Sequence, residues 1–330
     1  MRIATTAPIP ETAPEPEELR PGAKGERVER AQNQLLHAGL SLPRYGADGD
    51  YGRETAAAVA RFQRLHHLPV TGKLDLETLR ALENAPSPSP DYAALFADGV
   101  LHAVLAIGHD EAGSHEPEQA RLLSGLAERG YTWVADDQRA LLGLDADGKY
   151  LTREHDGHRV ILELITPDAE NAQPRFADAM RRSELVLYGG HGRYGSGPDF
   201  DDIRSPAGNF VIGAPYEAGH VTLGPNDLQA APLTPEYQLM FFDGCSTYRY
   251  FDDLRSKTPG KSTRNLDVIG STTELYWNVT AANLLTTLDG VTSGQTLEQL
   301  EDALDAVNRA GPADQRRYFR GDGFEDNGGQ

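Results

Sequence analysis

Cysteine is almost absent from this sequence: Cys245 stands alone in 330 residues. One cysteine excludes an intrachain disulfide framework and a multi-cysteine zinc site. Long hydrophobic runs are missing too. No stretch of about 18 apolar residues exists, so no segment reads as a membrane span. Basic residues are scarce, 31 against 50 acidic ones, for a net charge of −19. That balance opposes nucleic-acid binding, which needs a basic face, and suits cationic substrates or partners. Met1 to Pro8 lacks the apolar centre of a secretory signal. The reading is therefore cytoplasmic, or exported to the envelope by an unconventional route. What is present is 39% hydrophobic residues, enough for true cores, and a length that suggests two domains.

The Pro/Glu/Ala-rich residues 1–18 bury too little to fold and read as a disordered arm. Residues 19–83 form a small all-α unit. Its first helix runs from Glu26 to Ala38, with Val28, Ala31, Leu35 and Leu36 at helical spacing. After a turn-rich loop, a second helix (Arg53–His66) turns Thr55, Val59, Phe62 and Leu65 inward. A short third helix follows from Asp75 to Leu82. Residues 84–90, alternating proline and serine, read as an extended linker.

Gly49-Asp50-Tyr51-Gly52, Thr55, Phe62-Gln63 and Leu68-Pro69-Val70-Thr71-Gly72 with Thr78 and Leu79 carry a resemblance. The 58 residues from Gly25 to Leu82 resemble the three-helix peptidoglycan-binding domain found beside many cell-wall enzymes. The resemblance implies peptidoglycan as a partner; a three-helix bundle without a glycan ligand is the alternative.

Residues 91–330 alternate strand and helix, which implies an α/β fold with a mainly parallel sheet flanked by helices. The expected strands are Leu101–Gly108, Tyr131–Val134, Arg159–Ile165, Leu185–Tyr188, Gln238–Phe242 and Asp267–Gly270. Helices are expected at Pro117–Arg129, Pro174–Arg182, Asn278–Leu288 and Leu297–Val307. Two strand ends carry chemistry. One leads into Gly189-Gly190-His191-Gly192 and the next into Asp243-Gly244-Cys245-Ser246, with His191 and Cys245 54 residues apart. The carboxyl ends of strands are where α/β active sites assemble. A thiol there needs a base, which an imidazole supplies. The backbone N–H groups of Gly192 and Cys245 are candidate oxyanion donors. The alternative is a cysteine serving as a small buried hydrophobe.

His191-Gly192 followed by Asp243-Gly244-Cys245 resembles the caspase/gingipain-like cysteine peptidases, over about Leu101 to Val307. The resemblance implies a caspase-like sheet, with His191 as general base and acid and Cys245 as the nucleophile that forms an acyl-enzyme. It makes Asp243 a substrate-binding carboxylate, so cleavage is expected after Arg or Lys; Asp243 as a turn residue is the alternative. The local pattern is Asp-Gly-Cys-Ser-Thr, not Gln-Ala-Cys-Arg-Gly. The polar loop after Cys245 offers Arg255, Lys257, Lys261 and Arg264 as self-cleavage points, or is an ordinary solvated loop.

Other clusters carry less. Asp199, Asp201 and Asp202 offer oxygen ligands for Ca²⁺, though no cofactor and no structural metal is expected. His109 and His115 flank acidic residues without a recognised zinc spacing. Competing functions are an L,D-transpeptidase-like cell-wall enzyme and an inactive binding protein. The first would have a β-rich catalytic domain with its cysteine much closer to its histidine.

Overall fold

The computed structural model describes residues 18–193, 197–201, 233–250, 254–314 and 316–327. The chain divides into two compact units, residues 1–35 with 45–85 and residues 36–44 with 86–330. None of the helices among the described residues is long and apolar enough to cross a membrane.

The N-terminal unit is built on α1 (Glu26–His37), α2 (Arg53–Leu65) and α3 (Leu76–Glu83). Val28, Leu35, Val59, Phe62 and Leu82 are buried along their inward faces. Asp75 caps α3 by accepting from the N–H of Thr78 at 2.8 Å, the usual role of a short acidic side chain there. Two buried glutamines repeat one arrangement. Gln32 directs its Nε2 at Asp48 Oδ1 (2.9 Å), the Asp50 carbonyl (3.1 Å) and Thr55 Oγ1 (3.0 Å), while its Oε1 accepts from Gly49 N at 2.8 Å. Gln63 does the same one helix later, with Nε2 toward the Lys73 carbonyl (2.8 Å) and the Thr71 and Thr78 hydroxyls (3.1 Å each). Its Oε1 accepts from Thr71 N and Gly72 N at 2.9 Å each. Each glutamine thus clamps the loop between two helices, and every polar atom it buries is matched.

The second unit is an eight-stranded sheet in the order β2-β3-β4-β1-β5-β6-β7-β8. In chain order it comprises α4 (Tyr92–Leu95), β1 (Val100–Ile107), α5 (His115–Glu128), β2 (Thr132–Trp133), α6 (Asp136–Leu141), β3 (Tyr150–His155), β4 (His158–Ile165) and α7 (Ala172–Arg182). Then come β5 (Leu185–Gly189), β6 (Gln238–Asp243), α8 (Thr247–Tyr250), α9 (Leu254–Lys257), β7 (Leu266–Ser271), a 3₁₀ turn (Trp277–Val279), α10 (Thr280–Thr292), α11 (Leu297–Asn308) and β8 (Phe319–Asp322). The five central strands, β4-β1-β5-β6-β7, are parallel, and the edges pair antiparallel.

The central strands read as unbroken apolar runs because both their faces are covered. Leu101, Leu105 and Leu187 pack against α5, α10 and α11. Val104, Ala106, Val186 and Met240 pack against α7 through Phe176 and Met180. The stretch before Arg159, for which no element was expected, holds α6 and β3, and β3 returns into β4 through Asp156-Gly157. Both turn residues have positive φ (48° and 84°), which suits the tight hairpin turn. Strand β8 was likewise not expected. Of residues 84–90, expected to be a linker, 84–85 are grouped with the first unit and 86–90 with the second. The first N–H groups of α11 lack intrahelical partners, and Leu297 N donates to the Pro88 carbonyl (2.8 Å) and Glu298 N to Ser87 Oγ (3.0 Å). The segment is ordered by the helix start it satisfies.

Candidate functional site

Strands β5 and β6 are parallel neighbours, with Gly189 opposite Asp243. The chain continues from both at one level, so His191-Gly192 leaves the sheet beside Gly244-Cys245. Gly190 N donates to the Asp243 carbonyl at 2.8 Å, carrying the pairing one residue past the strand. Glycine at 244 is required by crowding: a Cβ there would lie 2.5 Å from the Gly190 carbonyl oxygen and 3.3 Å from Gly192 N. A Cβ on Gly192 would in turn meet the Cys245 carbonyl oxygen at 3.3 Å. The two loops abut because neither carries a side chain at the contact.

Cys245 is exposed, and its Sγ lies 3.9 Å from the Leu275 carbonyl oxygen. Its loop is anchored below. Thr247 Oγ1 donates to the Phe242 carbonyl (2.7 Å) and accepts from Ser271 N (2.9 Å), while Ser271 Oγ donates to the Gly244 carbonyl. Ser246 holds a left-handed φ of 55°, uncommon for a side chain other than glycine, and its N–H donates to the Thr273 carbonyl at 2.9 Å. No hydrogen bond within the described residues engages the N–H of Gly192 or Cys245.

His191 is half-buried. Its Nε2 lies 3.2 Å from Asp110 Oδ1 and 3.6 Å from Glu111 Oε2, and its ring meets Trp277 edge-on at 5.4 Å between centroids. Both acids follow the end of β1, the strand beside β5. The chain leaves β1 for β4 on one side and returns to β5 on the other, so the acids stand at the sheet's switch point, where α/β ligand sites form. Each acid is held from outside. Asp110 Oδ2 accepts from Ser114 N at 3.0 Å, and Glu111 Oε1 accepts from Arg193 Nη2 at 2.7 Å. Asp110 N donates to His115 Nδ1 at 3.0 Å. Desolvation would raise the Asp110 carboxyl, but Ser114 and His191 hold it below its ordinary value. Desolvation also opposes Glu111, whose own backbone N–H, Arg193 and His191 bring it down to about 2. Both are ionised near neutrality. A carboxylate facing Nε2 favours the tautomer with its proton there, leaving Nδ1 as the acceptor.

Asp243 is buried at 2% exposure and faces α10, not solvent. Its Oδ1 accepts from Asn283 Nδ2 at 3.0 Å, and Asn283 Oδ1 accepts in turn from Asn308 Nδ2 at 2.8 Å. Oδ2 has no partner of ordinary hydrogen-bond geometry among the described residues. Burial pushes the Asp243 carboxyl up to about 7, against the Thr280 hydroxyl and the Asn283 amide, which lower it.

The remaining expected residues separate from this centre. Arg255 is ion-paired with Asp322 and donates to the Leu266 carbonyl at 3.0 Å, with a side chain 11% exposed; it is a packing residue of β7 and β8, not a presented cleavage point. Lys261 donates to the Glu236 carbonyl at 2.8 Å, and burial lowers its ammonium to about 8. Arg264 is exposed, while the Lys257 side chain lies outside the described residues. For the Ca²⁺ expectation, buried Asp199 is ion-paired with Arg193 and also accepts from Asp201 N at 3.2 Å, so its oxygens already serve a guanidinium. Asp202 lies outside the described residues. The group with metal-ligand spacing among the described residues is Asp110, Glu111 and His191. Asp110 and Glu111 were missed, though the signal that found His191 and Cys245, a glycine and polar residues straight after an apolar strand, recurs at Ile107-Gly108-His109-Asp110.

Residues 24–82 match the family model "Putative peptidoglycan binding domain". Over 67 residues the chain is 42% identical to a probable N-acetylmuramoyl-L-alanine amidase of Bacillus licheniformis, which is 20% of this chain and 19% of that one. Over 64 residues it is 44% identical to the N-acetylmuramoyl-L-alanine amidase CwlL of the same organism, 19% and 18% of the two chains. The chain thus spans about a fifth of each relative. A solved fused Zn-dependent amidase/peptidase/peptidoglycan-binding protein from Clostridium acetobutylicum aligns over 44% of this chain and 60% of its own at 16% identity, with a TM-score of 0.21. A likeness that slight carries no argument.

Proposed function

We propose that the second unit is a caspase/gingipain-like cysteine endopeptidase cleaving after Arg or Lys, and that the N-terminal unit directs it to peptidoglycan. The observation that carries the reading is the register of β5 on β6, which sets His191-Gly192 against Gly244-Cys245 at one edge with the thiol exposed. In this reading His191 Nδ1 takes the thiol proton and the thiolate adds to the scissile carbonyl. The Gly192 and Cys245 N–H groups receive the oxyanion. His191 then passes the proton to the leaving amine, and water attacks the acyl-enzyme with His191 again as base. Asp110 is a positioning residue that fixes the imidazole tautomer, a role a buried carboxylate fills in serine-type triads.

The basic preference rests on the resemblance carried by Asp243-Gly244-Cys245, since an ionised carboxylate at position 243 gives an Arg or Lys side chain that reaches it a charge-assisted partner. Wall targeting rests on the match over residues 24–82, and peptide bonds at the cell wall are the substrate class it suggests. The mainly parallel sheet opposes the L,D-transpeptidase-like alternative.

Fluorogenic peptides differing only at P1 test the reading with wild type, Cys245→Ala and His191→Ala. Expected is turnover of Arg and Lys peptides that falls at least ~10³-fold in either variant. Turnover that survives in Cys245→Ala, or is confined to acidic P1 residues, overturns it.

A further inference from the structure

We infer that Asp110, Glu111 and His191 form a binding site for a divalent transition-metal ion, Zn²⁺ in the first instance, and that its occupancy switches the thiol centre off. The inference rests on the reading of Cys245 and His191 as the catalytic pair and adds a means of regulating it.

One nitrogen and two carboxylate oxygens converge here, all within 4.8 Å of one another. Zinc bonds of about 2.0–2.1 Å at tetrahedral angles place neighbouring ligand atoms roughly 3.3 Å apart. The distances from Nε2, 3.2 Å to Asp110 Oδ1 and 3.6 Å to Glu111 Oε2, bracket that spacing. A second observation lies outside the cluster. Each acid has one oxygen fixed by an external donor, Ser114 N on Asp110 and Arg193 on Glu111, and turns its other oxygen toward Nε2. Metal-ligating carboxylates are held in just this way by hydrogen bonds from behind. Three protein ligands leave a fourth position for water, and the ligand types suit zinc. Arg193 subtracts from the local negative charge, but Asp199 pairs with the same guanidinium and offsets that.

The consequence for catalysis follows from proton accounting. Without a metal, Nε2 keeps its proton toward Asp110 and Nδ1 is the acceptor for the thiol proton. A metal on Nε2 forces the ring proton to Nδ1. The imidazole then has no lone pair to offer the thiol, and the thiolate does not form. No bond is made to substrate and nothing is oxidised, so a chelator restores activity.

Two measurements on the full chain test the inference separately from the catalytic reading. In the Cys245→Ala background, competition against a chromophoric zinc chelator should show one Zn²⁺ per chain, weakened at least ~10-fold by Glu111→Gln. Asp110→Asn, read by binding alone, serves if Glu111→Gln does not fold. In the active enzyme, Zn²⁺ should inhibit reversibly with EDTA, and Glu111→Gln, read against its own zinc-free turnover, should need ~10-fold more Zn²⁺ for half-inhibition. Absence of binding in Cys245→Ala, or equal inhibition of wild type and Glu111→Gln, overturns the inference and leaves the thiol mechanism standing. Zinc-stimulated turnover that persists in Cys245→Ala overturns both.

Discussion

The two units bury polar side chains for opposite ends. In the N-terminal unit Gln32 and Gln63 are 1% and 0% exposed and every amide atom is bonded, each to a loop that has no sheet to hold it. In the second unit the backbone ladder holds the fold, and chemically capable groups gather at the strand ends: an exposed thiol, a half-buried imidazole, and a buried carboxyl oxygen with no partner of ordinary hydrogen-bond geometry among the described residues. A satisfied buried amide stabilises, whereas chemistry left exposed or half-buried at a strand end is available to a ligand. The contrast separates what keeps each unit folded from what each is free to bind.

Three substitutions probe that contrast. The largest effect is expected from Asp110→Asn, which keeps the shape of the site and removes the charge facing Nε2. It should lower kcat by on the order of 10²–10⁴-fold with little change in KM, and a raised KM at normal kcat would show that Asp110 binds substrate instead. Next is Gln63→Ala, which strands Thr71 N, Gly72 N and their neighbours. Unfolding of the N-terminal unit should become easier by about 2–3 kcal/mol, read by calorimetry. Binding to sedimented peptidoglycan should weaken while turnover of soluble peptides stays unchanged. If peptide turnover fell in parallel, the separation of the units' roles would be wrong.

The smallest effect concerns pH. The folded Asp243 carboxyl is raised from 3.8 to about 7, so its contribution to stability is complete below pH 4 and is lost as pH rises toward 7. Asp267, raised by burial to about 8, acts in the same direction. Asp243→Asn should therefore flatten part of the fall in Tm between pH 4 and 7. The same ionisation should lower KM for Arg peptides as pH rises through about 7 in wild type and not in the variant. A KM independent of pH in both would remove Asp243 from substrate binding.

Much of this arrangement was legible in the residues. The strands delivering His191 and Cys245 stand out because a strand covered on both faces is apolar throughout, and the glycines after them mark the exit from the sheet. The three helices of the N-terminal unit were visible from their periodicity. Strand β3 escaped because Tyr150–His155 runs two apolar residues and then four polar ones, with no period-2 alternation, although Asp156-Gly157 is a strong hairpin signal. Four-residue β8 is too short to announce itself. Asp110 escaped for a different reason. It meets His191 across 81 residues of chain, through a strand order that no local pattern encodes.

The pairing of Gly189 with Asp243 has a consequence for how such a site changes over time. His191 and Cys245 each follow their strand by two residues, so the pairing of the two strands makes both leave the sheet at one level. Their separation along the chain is a free variable. Insertions and deletions between the two strands can accumulate without moving either functional group. The arrangement can thus persist through lineages in which a fixed residue spacing would long have disappeared.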